Sequence, residues 1–507
     1  MDFLRIGKMV IHSFDMIMFL VLVAGTVIGY FVGAMPGIGV PVGVALIIPF
    51  TYVMRPEMAL ILMVTIFMSA EYANAIPAIT INTPGTTGAV ATCFDGYPMA
   101  QKGRIREAIS YSLNASVVGG LMGIFALIFV SIPITRFALM FGPAEYFAVG
   151  MFGIVLVVGM RGSESIKGLT SAAFGFWLSM IGLDMLTGQV RFTFGTSHLV
   201  DGLSLPSVFI GLLAFPELIK GIENWKRASG RDGEEPSRGR DVPESVQEDR
   251  FIPFREMFTY KWTILRSGII GTVIGAVPGT GASIANLLAY ETEKKFSKHP
   301  GAFGTGIPEG VVAAETANNA VVGSSLIPLL TLGIPGSNTG AIMLMVLMMH
   351  RIVPGPQLFT HNASLVYILY AGLFLGVFAM WLVGRITLPY IGLFKKIPYS
   401  YILPAVIILC YIGAYSLHFS VADVYIAFGF GILGYFMKRW GFATAPAILG
   451  LVLGKMIEIN FRRTILSGYG TYELFYTRPI ALCFLVIIAL SLAWSARQEF
   501  KRGKREN

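Results

Sequence analysis

The sequence predicts an all-α polytopic membrane protein, built as two homologous halves with roughly 12 membrane elements, some of them discontinuous or re-entrant helices. Three observations carry that reading. Only 13% of the 507 residues are charged and 55% are hydrophobic, where soluble domains carry about 25% charged residues. Charge is absent from long runs: Met16 to Met54, Ala108 to Thr135 and Thr316 to Met349 hold no Asp, Glu, Lys, Arg or His. Each run can cross a hydrocarbon core, which takes about 20 helical residues. Finally, Pro-Gly motifs recur in the same order in the two halves. The apolar runs are too long for barrel strands, which need about 9–11 alternating residues.

The elements follow in order. Residues 14–34 form a first span that ends at a glycine-proline cluster, and it is too long for a signal-peptide core. Segment 38–54 is apolar, and 57–80 is apolar but broken near Asn74 and Pro77. Helices are expected over 109–132, 140–160 and 166–186, with a shorter one over 204–219. Residues 220–262 carry nine Lys/Arg and nine Asp/Glu, which marks a solvent-exposed linker. Membrane segments resume at 264–290, 318–349, 364–384, 399–417, 421–437, 441–456 and 478–495. The chain therefore divides into a first repeat (1–219), the linker (220–262), a second repeat (263–496) and a basic tail (497–507). That tail, and the loop with Lys102, Arg104 and Arg106, read as cytoplasmic by the positive-inside rule.

The repeat rests on paired motifs. Gly33-Ala-Met-Pro-Gly-Ile-Gly39 matches Gly275-Ala-Val-Pro-Gly-Thr-Gly281, and Asn82-Thr-Pro-Gly-Thr-Thr-Gly88 resembles Gly333-Ile-Pro-Gly-Ser-Asn-Thr-Gly340. Between them lie Glu71-x-x-Asn74-Ala75 and Glu315-x-x-Asn318-Asn319-Ala320. Proline removes an amide donor and disrupts the helix ladder. Interrupted apolar segments at matching places point to a binding site in repeat-built transporters. The best candidates for contact with a small solute are Asn82, Thr83, Pro84, Gly85, Thr86 and Thr87, with Pro335, Gly336, Ser337, Asn338 and Thr339 as their counterparts. Hydroxyls and amides there can bind a carboxylate or a cation without a fixed charge, and they can equally cap helix starts. Pro36, Gly37, Gly39, Asn74, Pro278, Gly279, Gly281, Asn318 and Asn319 are candidates for ion coupling or structural support.

Glu71 and Glu315 are read as ion-coupling or interfacial carboxylates and stand outside the substrate shell; Asp95 and Arg351 are expected near the membrane surface. Arg136, Arg161 and Lys167 could attract an anion or snorkel to headgroups. Walker A, dinucleotide, Gly-x-Ser-x-Gly and zinc signatures are all missing, which disfavours an ATP-driven pump or an intramembrane enzyme.

Together with Phe94-Asp-Gly-Tyr-Pro-Met-Ala-Gln-Lys-Gly103 and Pro354-Gly-Pro356, these motifs resemble the large membrane subunit of the bacterial tripartite tricarboxylate transporters, the TctA family, over about residues 10 to 495. The resemblance implies secondary active uptake of an organic di- or tricarboxylate across the bacterial inner membrane. It implies a cation symporter, driven by Na+ or H+ with no other cofactor, and an elevator-like mechanism. The implied partners are a small four-helix membrane subunit and a periplasmic solute-binding protein. A stand-alone carboxylate transporter and an anion channel are the alternatives.

Overall fold

The computed structural model describes residues 14–35, 39–159, 165–184, 186–216, 218–219, 223, 249–278, 281–390, 399–416 and 419–506. About 81% of it is helical. In the first stretch, the helices are α1 (Met16–Ala34), α2 (Val40–Tyr52), α3 (Pro56–Ala73), α4 (Ala75–Ile81), α5 (Val90–Gln101), α6 (Ile105–Ala138), α7 (Pro143–Gly159), α8 (Ser165–Ser179) and α9 (Leu205–Phe209). Beyond the linker come α10 (Lys261–Ala276), α11 (Gly281–Phe296), α12 (Pro308–Ser324), α13 (Leu326–Leu332), α14 (Asn338–Met349) and α15 (Pro356–His361). The last are α16 (Ala363–Thr387), α17 (Tyr399–Ser416), α18 (Val421–Arg439), α19 (Thr444–Ser467), α20 (Glu473–Thr477) and α21 (Pro479–Glu506). Among the described residues six helices are long and apolar enough to cross a membrane, and five shorter ones are apolar.

Two expected segments prove to be composite. The stretch 264–290 is two helices, α10 and α11, because the backbone leaves the helix at Val277 and Pro278. The stretch 318–349 is three: α12 ends at Ser325, α13 ends at Gly333, and α14 begins at Asn338. The expected helix 166–186 stops at Ser179. A two-stranded hairpin follows, β1 (Gly182–Leu183) against β2 (Val190–Arg191), antiparallel. Residues 224–248 of the linker lie outside the described residues.

Apolar surface gives helices no reason to associate within lipid, so close backbone approach and polar contacts carry the packing. The contacts show it. Gly29 and Gly33 of α1 face Ile66 and Ala70 of α3, where a Cβ on Gly29 would lie 2.8 Å from the Ile66 Cα. Gly271 and Gly275 of α10 face Ala317 and Val321 of α12 in the same manner, with 2.8 Å from an added Cβ on Gly271 to the Ala317 Cα. Gly119 and Gly123 of α6 press on the backbone of Thr316 and Ala320, from the other side of α12. Helix α12 is thus clasped between α6 and α10, and α3 is wholly buried from Ala59 to Ala73. Large apolar side chains on outer faces, among them Phe19, Phe129, Val273 and Phe378, stay exposed in the isolated chain, as lipid-facing residues do.

Charged groups tie the periphery. Asp184 accepts from Arg462 at 2.7 Å, and Arg191 reaches Glu458 through two bonds of 2.7 and 3.1 Å, so the hairpin is fastened to α19. The Arg462 guanidinium, the Leu186 amide and the Thr187 hydroxyl hold the Asp184 carboxyl well below the usual carboxylate range.

Gly119→Leu should therefore separate α6 from α12 and lower stability in detergent by about 1–3 kcal/mol, whereas Gly429→Ala, which meets nothing within 4 Å, should change it little; chemical unfolding of both variants measures this. Because the folded Asp184 pKa lies below its unfolded value of about 3.9, its contribution is present above that value and fades as pH falls toward the folded pKa. Melting profiles between about pH 6 and 3 should show a smaller acid-side loss for Asp184→Asn than for the parent chain.

Candidate functional site

Two helix breaks build the site, and they are made alike. In the first, α3 ends at Asn74, and Pro77, lacking an N–H, cannot bond back across the junction. Helix α4 then closes on Asn82 in the left-handed region, φ 54, with the Thr83 amide donating to the Pro77 carbonyl at 3.2 Å. In the second, α12 ends at Ser325 and Pro328 plays the same part. Helix α13 closes on Gly333, φ 72, with the Ile334 amide donating to the Pro328 carbonyl at 3.2 Å. Both endings are capped by an αL residue, which lets the chain turn back. Both turns then fold over their own break: a Cβ on Gly85 would lie 2.9 Å from the Asn74 Cβ, and one on Gly336 2.7 Å from the Ser325 carbonyl.

The returning chain starts a new helix with a hydroxyl cap in each case. Thr86 Oγ1 accepts from the Gly88 amide at 3.1 Å ahead of α5, and Ser337 Oγ accepts from the Gly340 amide at 3.0 Å at the start of α14. These caps satisfy amides that otherwise have no intrahelical partner.

The two turns open on one cavity of about 370 Å³. Four helix starts converge there: Pro41 from α2, Thr86 to Gly88 before α5, Gly281 to Ile284 of α11, and Ser337 to Thr339 of α14. Phe67 and Glu71 of α3 and Asn318 of α12 complete one wall; Val157 of α7 with Ala445 and Leu449 of α19 forms another. No Lys, Arg or His lines it among the described residues. The partial positive charge of helix N-termini, together with hydroxyls and amides, suits an anion without a fixed counter-charge that would trap it.

Of the predicted site residues, Thr86, Thr87, Pro335, Ser337, Asn338, Thr339, Gly281 and Asn318 line this cavity. Asn82, Thr83, Pro84, Gly85 and Gly336 do not line it; they make the turns. Asn74 donates to Thr86 Oγ1 at 2.7 Å and to Glu71 Oε2 at 3.0 Å, so it ties the break to the returning turn. Asn319 donates to Ser116 Oγ at 2.7 Å, away from the cavity. Gly39 caps α2 and Pro278 follows α10, while Pro36, Gly37 and Gly279 lie outside the described residues.

Several placements differ from expectation. Glu71 is on the cavity wall and almost fully buried; Glu315 is fully buried in mid-helix, bonded to Thr92 and to Ser116 at 3.3 Å. Both are enclosed by protein, because α3 and α12 are both central. The two Glu-x-x-Asn motifs are also not equivalent places: Asn74 sits at its break, whereas Asn318 lies inside α12, before the Ser325 break. Instead they meet, with Asn318 Nδ2 donating to the Glu71 carbonyl at 2.9 Å. Asp95 is fully buried within the protein and accepts from the amides of Gly304, Gly306 and Ile307 and from the Tyr290 hydroxyl at 2.8 Å. Arg136 and Lys167 do not reach the cavity, and Arg161 lies outside the described residues.

In α11 the sequence singles out Gly281 alone, and it points neither to Ser283 and Asn286 nor to the apolar wall from α7 and α19. Ser283 bonds to the Thr87 hydroxyl, and Asn286 donates to the Gly88 carbonyl. The signal for α11 was available, since Ser283 lies four positions after the second Gly-x-x-Pro-Gly motif.

A polytopic helical membrane protein with broken helices around a cationless polar cavity is a solute-handling membrane component. Residues 19–449 match the Tripartite tricarboxylate transporter TctA family, and the chain belongs to that family. It is 33% identical over 466 residues to the "Uncharacterized 52.8 kDa protein in TAR-I ttuC' 3'region" of Agrobacterium vitis, covering 91% of this chain and 90% of that protein. It is 38% identical over 236 residues to the "Uncharacterized protein in TAR-II ttuC' 3'region" of the same organism, covering 45% of this chain and 96% of that protein. No solved structure matches.

Asn74→Ala removes the donor shared by Glu71 and Thr86. A buried hydrogen bond contributes about 0.5–1.5 kcal/mol net, and unfolding in detergent should show a loss of at least that size; an unchanged stability would mean that the break holds without this stitch.

Proposed function

We propose that this chain is the large, solute-carrying subunit of a binding-protein-dependent carboxylate symporter in the bacterial inner membrane. The observation that supports this best is the convergence of four helix N-termini on one cavity that no basic residue lines among the described residues. A di- or tricarboxylate would be held there by the hydroxyls and amides of Thr86, Thr87, Ser337, Asn338 and Thr339. Asn82, Thr83, Pro84, Gly85, Pro335 and Gly336 would shape the two turns, with Gly39, Gly281 and Pro278 supporting the adjoining helix starts. Distributed partial charges favour an anion yet leave it able to depart, as a transport cycle requires.

The recurrence of broken helix, αL cap and hydroxyl-capped restart supports a duplicated architecture with about twelve membrane elements in two halves. The cavity wall also has two characters. The turns with α3 and α12 are polar, whereas α7 and α19 present Val157, Ala445 and Leu449. A smooth apolar wall offers no hydrogen bonds to break as the polar part slides, which suits an elevator movement. Family membership supports the remaining parts: a small four-helix membrane subunit, a periplasmic binding protein that delivers the carboxylate, and a Na+ or H+ gradient as the drive.

The test is uptake of radiolabelled citrate and other di- and tricarboxylates by vesicles holding the reconstituted chain, with and without the two partners, under an imposed cation gradient. Asn338→Ala and Thr87→Ala should each raise the KM for the transported acid about tenfold, the loss of about 1.4 kcal/mol expected for a lost hydrogen bond to a charged solute. Asn82→Gly, which keeps the αL turn, should transport normally. Uptake that is indifferent to both cavity substitutions would reject this placement of the substrate.

A further inference from the structure

We infer that Asp95 is a positioning residue for the solute: clasped by backbone amides, it sets the register of α5 along α11, so that two of the four helix starts meet the anion together; this rests on reading the cavity as the carboxylate site. Asp95 lies in the middle of α5 and is fully buried. Its Oδ1 accepts from the amides of Gly304, Gly306 and Ile307 at 2.9, 2.8 and 3.0 Å, and its Oδ2 from the Tyr290 hydroxyl at 2.8 Å. Gly304 and Gly306 hold φ 87 and 98, a left-handed geometry open to glycine, which turns neighbouring amides onto one point. Such a concavity of amides is an anion site. Gly310 of α12 leaves room for it, since an added Cβ there would run into Asp95 Oδ2. Farther along, Lys102 Nζ donates to the Thr305 carbonyl at 2.7 Å, so the same loop is held twice. The second half of the chain thus builds an anion site, and the first half supplies the anion.

Helices α5 and α11 both start at the cavity and lie side by side from there to this loop. Thr87 bonds Ser283, and the Gly88 carbonyl accepts from Asn286 Nδ2. The Phe94 ring meets Tyr290 at 5.3 Å between centroids, and Tyr290 reaches on to Asp95. Ser283, Asn286 and Tyr290 are three and four residues apart, the spacing of one helix face. One face of α11 therefore holds both the cavity end of α5 and its carboxylate, about 10 Å apart along the helix. Among these contacts Asp95 carries the only charge, and charge-assisted hydrogen bonds are the strong ones.

Apolar contact gives helices little register within lipid. Here it is small as well: Ala91 packs with Tyr290, Phe303 and Ala314. Without the carboxylate, α5 is free to slide along α11, and Thr86 and Thr87 leave their places beside Ser283. The helix stays attached to α12 through the bond from Thr92 to Glu315, so the change is one of register and not of folding. The solute then meets these two starts out of step, while the turn from Ser337 to Thr339 is untouched. The loss falls on affinity, not on the rate of carrying.

Register is read without any ligand. The full chain, with Cys93, Cys410 and Cys483 replaced by Ala, receives Thr87→Cys and Ser283→Cys, and disulfide formation under copper phenanthroline is timed in native membranes. Asp95→Asn should slow it severalfold, whereas Ser297→Ala, which breaks a bond to Glu309 beside the same loop, should not. In chains that keep Thr87 and Ser283, uptake of radiolabelled citrate, malate and succinate by vesicles with both partners gives KM and the maximal rate. Asp95→Asn should raise KM about three- to tenfold and leave the maximal rate per inserted chain little changed. Combined with Thr87→Ala it should add little, because both act on the start of α5; combined with Asn338→Ala on the other turn it should add in full. If Asp95→Asn does not insert, Tyr290→Phe, which removes one donor to the same carboxylate, takes its place. An unchanged crosslinking rate, or a lower maximal rate at unchanged KM, overturns the positioning role. A parent chain that takes up none of the three acids rejects the proposed function, and crosslinking then decides by itself whether Asp95 sets the register.

Discussion

A helix broken inside an apolar layer frees amides and carbonyls that no lipid can satisfy, and every such group must find a partner within the protein. The architecture around the cavity follows from that demand. At Asn74 the freed carbonyl receives the Gly85 amide at 3.2 Å, and the Asn74 side chain ties the returning turn to Glu71 and Thr86. Past the second break, Gly355 donates to the Leu330 carbonyl near the end of α13 at 3.0 Å, so the chain after α14 returns to cover α13. The first break is stitched by chain that has already turned back, and at the second the returning turn packs against the Ser325 backbone at Gly336, so break and turn form one unit.

Such units need rigid neighbours, and the glycine seams provide them. Helices α1 and α10 run against α3 and α12 at backbone contact distance, which holds the two broken helices in place while their ends remain shaped by polar contacts. Asn318 then joins the two units directly by donating to the Glu71 carbonyl. The polar side of the cavity is thus continuous from one break to the other. The apolar side, from α7 and α19, shares no hydrogen bond with it through Val157, Ala445 or Leu449, whose side chains have none to offer.

Much of this was legible in the chain. The uncharged runs marked the membrane class, and Pro77 with Pro84-Gly85 and Pro335-Gly336 marked the places where helices stop. The division of labour within each motif was less legible. Asn82 and Thr86 look equally polar in the sequence, yet φ 54 makes Asn82 a turn residue, while Thr86 faces the cavity. Helix α11 was merged with α10 because their joint run is apolar, and α13 was hidden within a longer apolar run for the same reason. Hydropathy averages over a break of a few residues.

What the sequence by itself determined is the solvent this protein is built for and the points where its backbone must turn, because both depend on local composition: missing charge, missing amide hydrogens and residues that tolerate αL geometry. Tertiary structure alone decided which of those points face one another. Asn318 beside Glu71, Ser283 beside Thr87 and Asp95 beneath the amides of Gly304 to Ile307 are contacts between residues about 200 or more positions apart. Their pairing is set by how glycine-lined helices fit together, a property of three-dimensional packing that no local pattern encodes.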